Sequence, residues 1–149
     1  MGNTKSAHNL GAVLRISDGL LAEKVYVTGK YLEEHGRKLK KTSRGIQGWV
    51  PWEWVPTAVD IVKDLKSKGY KIICCELTDK SVPFHKIKVP KKIVIVLGNE
   101  TCGVSDAVLA LVDICVQVPM LGMGNSLNMS VVAGIVGYQI LTKLSDFES

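Results

Sequence analysis

Apolar residues fall along this chain in short runs and helical stripes, punctuated by glycine and small polar residues. Residues 93–97, Ile-Val-Ile-Val-Leu, are consecutive, apolar and mostly β-branched, which predicts a buried strand. Gly98 stops it, and the polar turn Asn99-Glu100-Thr101 follows. Ser105 and Asp106 read as the N-cap and first-turn residue of a short helix to about residue 111. Residues 114–118 are the next strand, ended by Pro119, which cannot donate to a sheet ladder. A loop containing Gly122 and Gly124 leads to Ser126, the expected cap of the last helix. That helix carries Leu127, Val131, Ile135, Tyr138 and Leu141 at a spacing that places them on one face.

Upstream the same reading continues. Leu10, Val13 and Leu14 share a helical face, so a helix is expected from Asn9, a plausible N-cap, to about Gly19, with Arg15 on the opposite side from Leu14. Residues 24–28 alternate as a strand. Residues 30–48 are strongly basic, with Arg37, Lys38, Lys40, Lys41 and Arg44 close together. Trp49, Trp52 and Trp54 follow, interrupted by Pro51 and closed by Pro56, which predicts an edge strand or an irregular segment. Their rings can stack on splayed RNA bases or fill a core or dimer face. Thr57 caps a helix over residues 58–68, with Val59, Val62 and Leu65 inward and Gly69 at its end. Residues 70–77 form a strand, 78–81 a loop at its carboxyl end, and 83–90 a connector with a short helical turn.

Strands alternating with helices, about five of them, give an α/β fold with a mostly parallel sheet flanked by helices on both faces. In such sheets ligands bind beyond the carboxyl ends of the strands. The glycine-rich loops there let a ligand approach the backbone closely. Residues 98–100, 118–122 and 126–128 are therefore the expected site. Gly122-x-Gly124-x-x-Leu127 comes near a dinucleotide fingerprint. It departs at the third glycine, and no acidic residue follows at a later strand end to hold a ribose, which argues against nicotinamide binding.

Composition narrows the picture. The chain has 149 residues, 46% of them hydrophobic, enough for one domain with one core. No apolar run is long enough to span a membrane and no apolar signal segment is visible, so a cytoplasmic protein is expected. The net charge of +5 suits a polyanionic partner such as RNA. Cys74, Cys75, Cys102 and Cys115 form no C-x-x-C pair and read as small buried hydrophobes in a reducing compartment, with Cys102 set apart by its place in the Glu100 loop. The histidines show no ligand spacing, and no metal is expected.

The wording of the loops adds a resemblance. Leu97-Gly98-Asn99-Glu100-x-x-Gly103, followed by Val118-Pro119-Met120-x-Gly122-x-x-x-Ser126-Leu127-Asn128-x-Ser130, resembles two signature motifs of the SpoU/TrmH family, RNA ribose 2′-O-methyltransferases of the SPOUT class. Asn9-x-Gly11-Ala12-x-x-Arg15 resembles the first motif of the same family. Two departures stand out: the strand that normally precedes the asparagine is very short or missing, and Leu21 stands where the family usually has glycine, so a reshaped turn is expected there.

The resemblance implies a single SpoU-type methyltransferase domain over residues 1–149 without a separate RNA-binding domain, a C-terminal deep trefoil knot, a homodimer, and S-adenosylmethionine as methyl donor. It implies methylation of a ribose 2′-OH in tRNA or rRNA, with tRNA favoured, and a catalytically inactive RNA-binding member as the alternative. By the same resemblance Arg15, Glu100, Ser126 and Asn128 match the catalytic positions. Leu77, Gly98, Val118, Met120, Ser126 and Leu127 match the positions lining the donor pocket, and Asn9, Arg15, Lys40, Lys41 and Arg44 are the expected RNA contacts.

Overall fold

The structure, a computed structural model, describes residues 7–29, 48–98 and 102–144. Helix α1 spans Ala7–Gly19 and strand β1 Val25–Thr28. Strand β2 (Trp52–Val55) and helix α2 (Ala58–Ser67) follow. Next come β3 (Lys71–Cys75), the short β4 (Val82–Pro83) with a 3-10 turn over Phe84–Lys86, and β5 (Ile93–Leu97). Helix α3 (Asp106–Leu109), strand β6 (Ile114–Gln117) and the long helix α4 (Met129–Leu144) complete the order. No helix among the described residues is long and apolar enough to cross a membrane.

Every ladder is parallel, but the strands form two sheets where one was expected: β1–β2, and a four-stranded sheet in the order β4-β6-β3-β5. In the larger sheet β3 and β6 are the inner strands. Ile73 faces Ile95 on one side and Ile114 on the other. The pleat then sorts the side chains. Ile95 and Leu97 pack with Val13, Met129 and Ala133 beneath α1 and α4, while Ile72, Val94 and Val96 pack with Val62 and Val108 beneath α2 and α3. Both faces are covered, which is why residues 93–97 are apolar without alternation. Helix α1 also joins the two sheets, because Leu10 and Leu14 pack with Val25 and Val27 while Val13 packs with Leu97.

Several local expectations change. Helix α1 begins two residues before Asn9, so Asn9 lies inside the helix and does not cap it. Strand β3 ends at Cys75, which frees Glu76 and Leu77 from the ladder, and β4 was read only as connector. Helix α4 buries Met129, Ala133, Val136, Gly137 and Ile140, while Val131 and Tyr138 are exposed. The helix is apolar nearly all round, so periodicity could not choose its buried face. Gly137 lets α1 approach, since a Cβ there would overlap Leu20 Cδ1. Trp52 and Trp54 meet edge to face at 6.0 Å and pack on the β1–β2 core, whereas Trp49 is exposed.

Two helices end in the same motif with different residues. After α2, the Tyr70 N–H donates to Leu65 O and the Gly69 N–H to Lys66 O, with Gly69 at φ +89°. After α1, the Ala22 N–H donates to Ser17 O and the Leu21 N–H to Asp18 O, with Leu21 at φ +53°. Both are Schellman ends, whose left-handed position normally takes glycine. The turn expected to be reshaped at Leu21 therefore keeps the conformation a glycine would adopt, on a leucine that is 89% exposed. Leu21→Gly should remove left-handed strain of about 1–2 kcal/mol, partly offset by the entropy of an added glycine. The expected net gain is about 0.5–1 kcal/mol, read as a rise in the denaturation midpoint at unchanged slope.

Asp113 locks the entry to β6. Its carboxylate accepts the Ile72 N–H at 2.8 Å and lies 3.3 Å from the Lys66 ammonium. Partial burial raises its carboxyl, but the Ile72 N–H and Lys66 outweigh this and hold it below the ordinary value of 3.8. A depressed folded value means the contribution is present above pH 3.8 and is lost as pH falls through the lower folded value. Asp113→Asn, which keeps an acceptor for Ile72, should cost about 1 kcal/mol at pH 7. Urea titrations at a series of pH values should show that deficit vanishing below the ordinary carboxylate range.

Candidate active site at the carboxyl ends of the central strands

Register brings the ends of three strands level: Cys75 is the partner of Leu97 on β5 and of Val116 on β6. Beyond them Glu76, Leu77, Gly98, Cys102, Gly103 and residues from 117–120 and 124–128 line a cavity of about 860 Å³. Leu77, Gly98, Val118, Met120, Ser126 and Leu127, the expected donor-pocket residues, all line it, as does Asn128. The wall mixes apolar side chains with backbone, a composition suited to a flat, partly apolar ligand that is read by main-chain groups.

Hydrogen bonds fix each loop. The Ser81 hydroxyl donates to Glu76 O at 2.9 Å and accepts the Thr78 N–H at 2.5 Å, which closes the first loop. The Glu76 carboxylate accepts the Val104 N–H at 2.8 Å and so ties the first loop to the second. Gly103 sits at φ +67° against this carboxylate, and a Cβ there would overlap Glu76 Oε1. The third loop ends at Asn128, whose side-chain oxygen accepts the Ser130 N–H at 2.9 Å. Asn128, not Ser126, therefore caps α4; Ser126 lies outside the helix and faces the cavity.

Asn128 has a second task. Its amide nitrogen donates to Asn9 Oδ1 at 3.3 Å. Asn9 is 4% exposed, so it stands behind Asn128 inside the fold rather than open to a large partner. This contact joins the first and third sequence motifs across 119 residues. Arg15 is exposed on α1 and is not part of the cavity wall. Glu100, Lys40, Lys41 and Arg44 lie outside the described residues.

Cys74 and Cys75 behave as small apolar residues. Cys74 is fully buried, and desolvation, aided by the neighbouring Cys115, pushes its thiol far up; burial carries Cys75 up to about 12. Neither is a thiolate at neutral pH, so neither is a nucleophile. Cys102 is exposed and lines the cavity. Among the described residues no group of side chains is arranged to hold a metal ion.

Glu76 is the charged wall residue, among those described, that sequence reading missed. It was counted within a strand, and the available signal was a lone carboxylate at the carboxyl end of a strand entering a loop.

The chain is similar to known proteins. The family described as SpoU rRNA Methylase matches residues 1–138. The chain is 34% identical over 140 residues to the tRNA (guanosine(18)-2′-O)-methyltransferase of Aquifex aeolicus (strain VF5), covering 92% of this chain and 64% of that protein. It is 30% identical over 139 residues to the enzyme of the same name from Escherichia coli (strain K12), covering 93% of this chain and 60% of the relative. The chain thus spans somewhat under two thirds of these relatives. Among solved structures, the A. aeolicus TrmH/SpoU tRNA modifying enzyme superposes with a TM-score of 0.84 at 31% identity, over 95% of this chain and 72% of that one. An AdoMet-bound rRNA methyltransferase from Sinorhizobium meliloti shares the fold with a TM-score of 0.87 at 21% identity, over 97% and 55% of the two chains.

Proposed function

We propose that this chain, which belongs to the SpoU rRNA methylase family, methylates a ribose 2′-hydroxyl of tRNA with S-adenosylmethionine as donor. The observation that carries the reading is the convergence of Gly98 and Gly103 with Val118, Met120 and residues 124–128 on one cavity, with Asn128 held from behind by Asn9. The names of the Aquifex and E. coli relatives favour tRNA over rRNA and make guanosine the first nucleoside to look for.

The cavity fits the donor. Its volume of about 860 Å³ lies in the range that encloses nucleoside-sized ligands. Leu77, Gly98, Val118, Met120, Ser126 and Leu127 would hold it, largely through backbone. When bound, S-adenosylmethionine supplies an electrophilic methyl group on a sulfonium. The protein's share is to orient the ribose and manage the proton of its hydroxyl. A guanidinium keeps its proton throughout the physiological range, so Arg15 stabilises the developing alkoxide or grips the adjacent phosphate rather than acting as a base. Glu100 orients Arg15 or receives the proton, and Asn128 and Ser126 position the ribose.

We read the chain as a single methyltransferase domain. The non-sequential strand order β6-β3-β5, with residues 118–120 and 124–128 lining one cavity with Cys75, Leu97 and Val116, supports a deep trefoil knot at its C-terminal end. The exposed apolar residues Leu21, Val131 and Tyr138 near the α1–α4 contact support a homodimer through these helices. Asn9 then acts through Asn128, while Arg15, Lys40, Lys41 and Arg44 meet RNA, in the cytoplasm.

The test is incubation of the full chain with the donor and unmodified tRNA or rRNA, followed by nucleoside mass spectrometry. A 2′-O-methylated nucleoside in tRNA is expected. Product in rRNA alone would reassign the substrate. Donor and RNA binding without product on either would establish the non-catalytic RNA-binding alternative.

A further inference from the structure

Among the described residues lining the cavity, Glu76 carries the one carboxylate, and no lysine or arginine is among them. Its carboxylate is held in place. Oε2 accepts the Val104 N–H at 2.8 Å and lies 3.1 Å from where a Cβ on Gly98 would stand, while Gly103 closes against Oε1. Its own carbonyl is anchored by the Ser81 hydroxyl. None of the ion pairs among the described residues involves it; Lys24, Lys68 and Lys66 pair with Glu53, Asp64 and Asp113. Among the described residues Glu76 therefore brings the one negative charge to a lining that is otherwise apolar or neutral, and no described lysine or arginine pairs with it.

We infer that Glu76 makes the cavity charge-selective, favouring a cationic sulfonium ligand over the neutral thioether that remains after methyl transfer. The inference rests on the reading that S-adenosylmethionine is the donor. Donor and product share the adenosine and the amino-acid tail and differ in the methyl group and one positive charge. A fixed carboxylate in the wall attracts the first and is indifferent to the second. At the effective dielectric of a partly open protein site, one such interaction is worth roughly a three- to tenfold preference. It also favours product release, because the attraction ends when the sulfonium becomes a thioether. Glu76 is in addition a positioning residue for Gly103 and Val104, and the two roles separate by substitution. Glu76→Gln keeps an oxygen able to accept from Val104 but removes the charge. Glu76→Asp keeps the charge but shortens the reach to Val104.

The experiment is isothermal titration of the full chain with S-adenosylmethionine and with S-adenosylhomocysteine, at low and high salt. The readout is the ratio of the two dissociation constants, which does not depend on the folded fraction of a preparation. In Glu76→Gln the preference for the sulfonium ligand should fall roughly three- to tenfold, with thioether affinity nearly unchanged. Glu76→Asp should weaken both ligands and keep the ratio. Salt should reduce the wild-type ratio and leave that of Glu76→Gln unmoved. An unchanged ratio in Glu76→Gln, or equal weakening of both ligands, reduces Glu76 to a loop clamp and overturns the inference. Loss of the ratio in Glu76→Asp as well as Glu76→Gln overturns it too, by making geometry rather than charge the cause. Wild-type protein that binds neither ligand would instead overturn the donor assignment, a result distinct from the others because they all require wild-type binding.

Discussion

Arg15→Ala should lower methyl transfer to tRNA by about 100-fold or more while leaving donor affinity within about twofold of wild type. The split follows from position. Arg15 is exposed on α1 and absent from the cavity wall, so its removal takes nothing from the donor pocket. It sits on the opposite side of α1 from Leu10 and Leu14, which are 1% and 0% exposed, so its removal also leaves the core intact. A group that contributes only when the hydroxyl begins to ionise lowers kcat and kcat/KM together. Arg15→Lys should recover little, because an ammonium lacks the planar fork that grips two oxygens at once. Single-turnover transfer and donor titration on the same preparations make the test. Equal loss of donor binding and transfer would place Arg15 in the pocket and contradict the geometry.

The largest loss of stability is expected from Ile73→Ala. Ile73 is 0% exposed and lies in the middle of β3, the strand flanked by both β5 and β6. It packs with Ile87, Val116, Val136 and Ile140 in the core beneath α4. Truncation removes three carbons from a site walled by three strands and a helix, which leaves little room for collapse. A cost of about 3–4 kcal/mol follows, equivalent to a fall of roughly 10 °C in Tm for a domain of this size. Ile73→Val should cost only about 1 kcal/mol. Urea unfolding with unchanged slope would assign the difference to the native core. Because β3 carries Glu76 and Leu77 on its carboxyl end, donor affinity per folded molecule checks whether the cavity survives the packing defect.

Much of the frame was legible from local patterns. The run Ile93–Leu97 became the strand it predicted, and Thr57 and Ser105 cap the helices they precede, accepting from Val59 and Val108. Leu10, Val13 and Leu14 face inward with Arg15 outward. These are short-range facts: a strand repeats every two residues, a helix every 3.6, and a cap acts within three. The residues named for the donor pocket also came together, since loops at the carboxyl ends of parallel strands necessarily crowd one edge of the sheet. The side-chain placement of Glu100, Lys40, Lys41 and Arg44 lies outside the described residues.

Other features had no local signal. The face of α4 was misread because a helix apolar on all sides buries whichever side its neighbours cover, and α1 supplies that neighbour, with Leu20 just past its end lying on Gly137. Leu21 holds a glycine-like turn because the helix end around it, through Ser17 and Asp18, outweighs the strain of one residue.

The sequence by itself determined the kinds of element, their order and the loops that carry the family's motifs, because these depend on contacts between residues a few positions apart. Only the tertiary structure decided that β3 lies between β5 and β6, that Asn9 stands behind Asn128, and that Glu76 meets Val104 28 residues away. Those choices depend on strand register and helix packing, where many weak contacts distant in the chain are satisfied together, and no periodicity encodes which pair will meet.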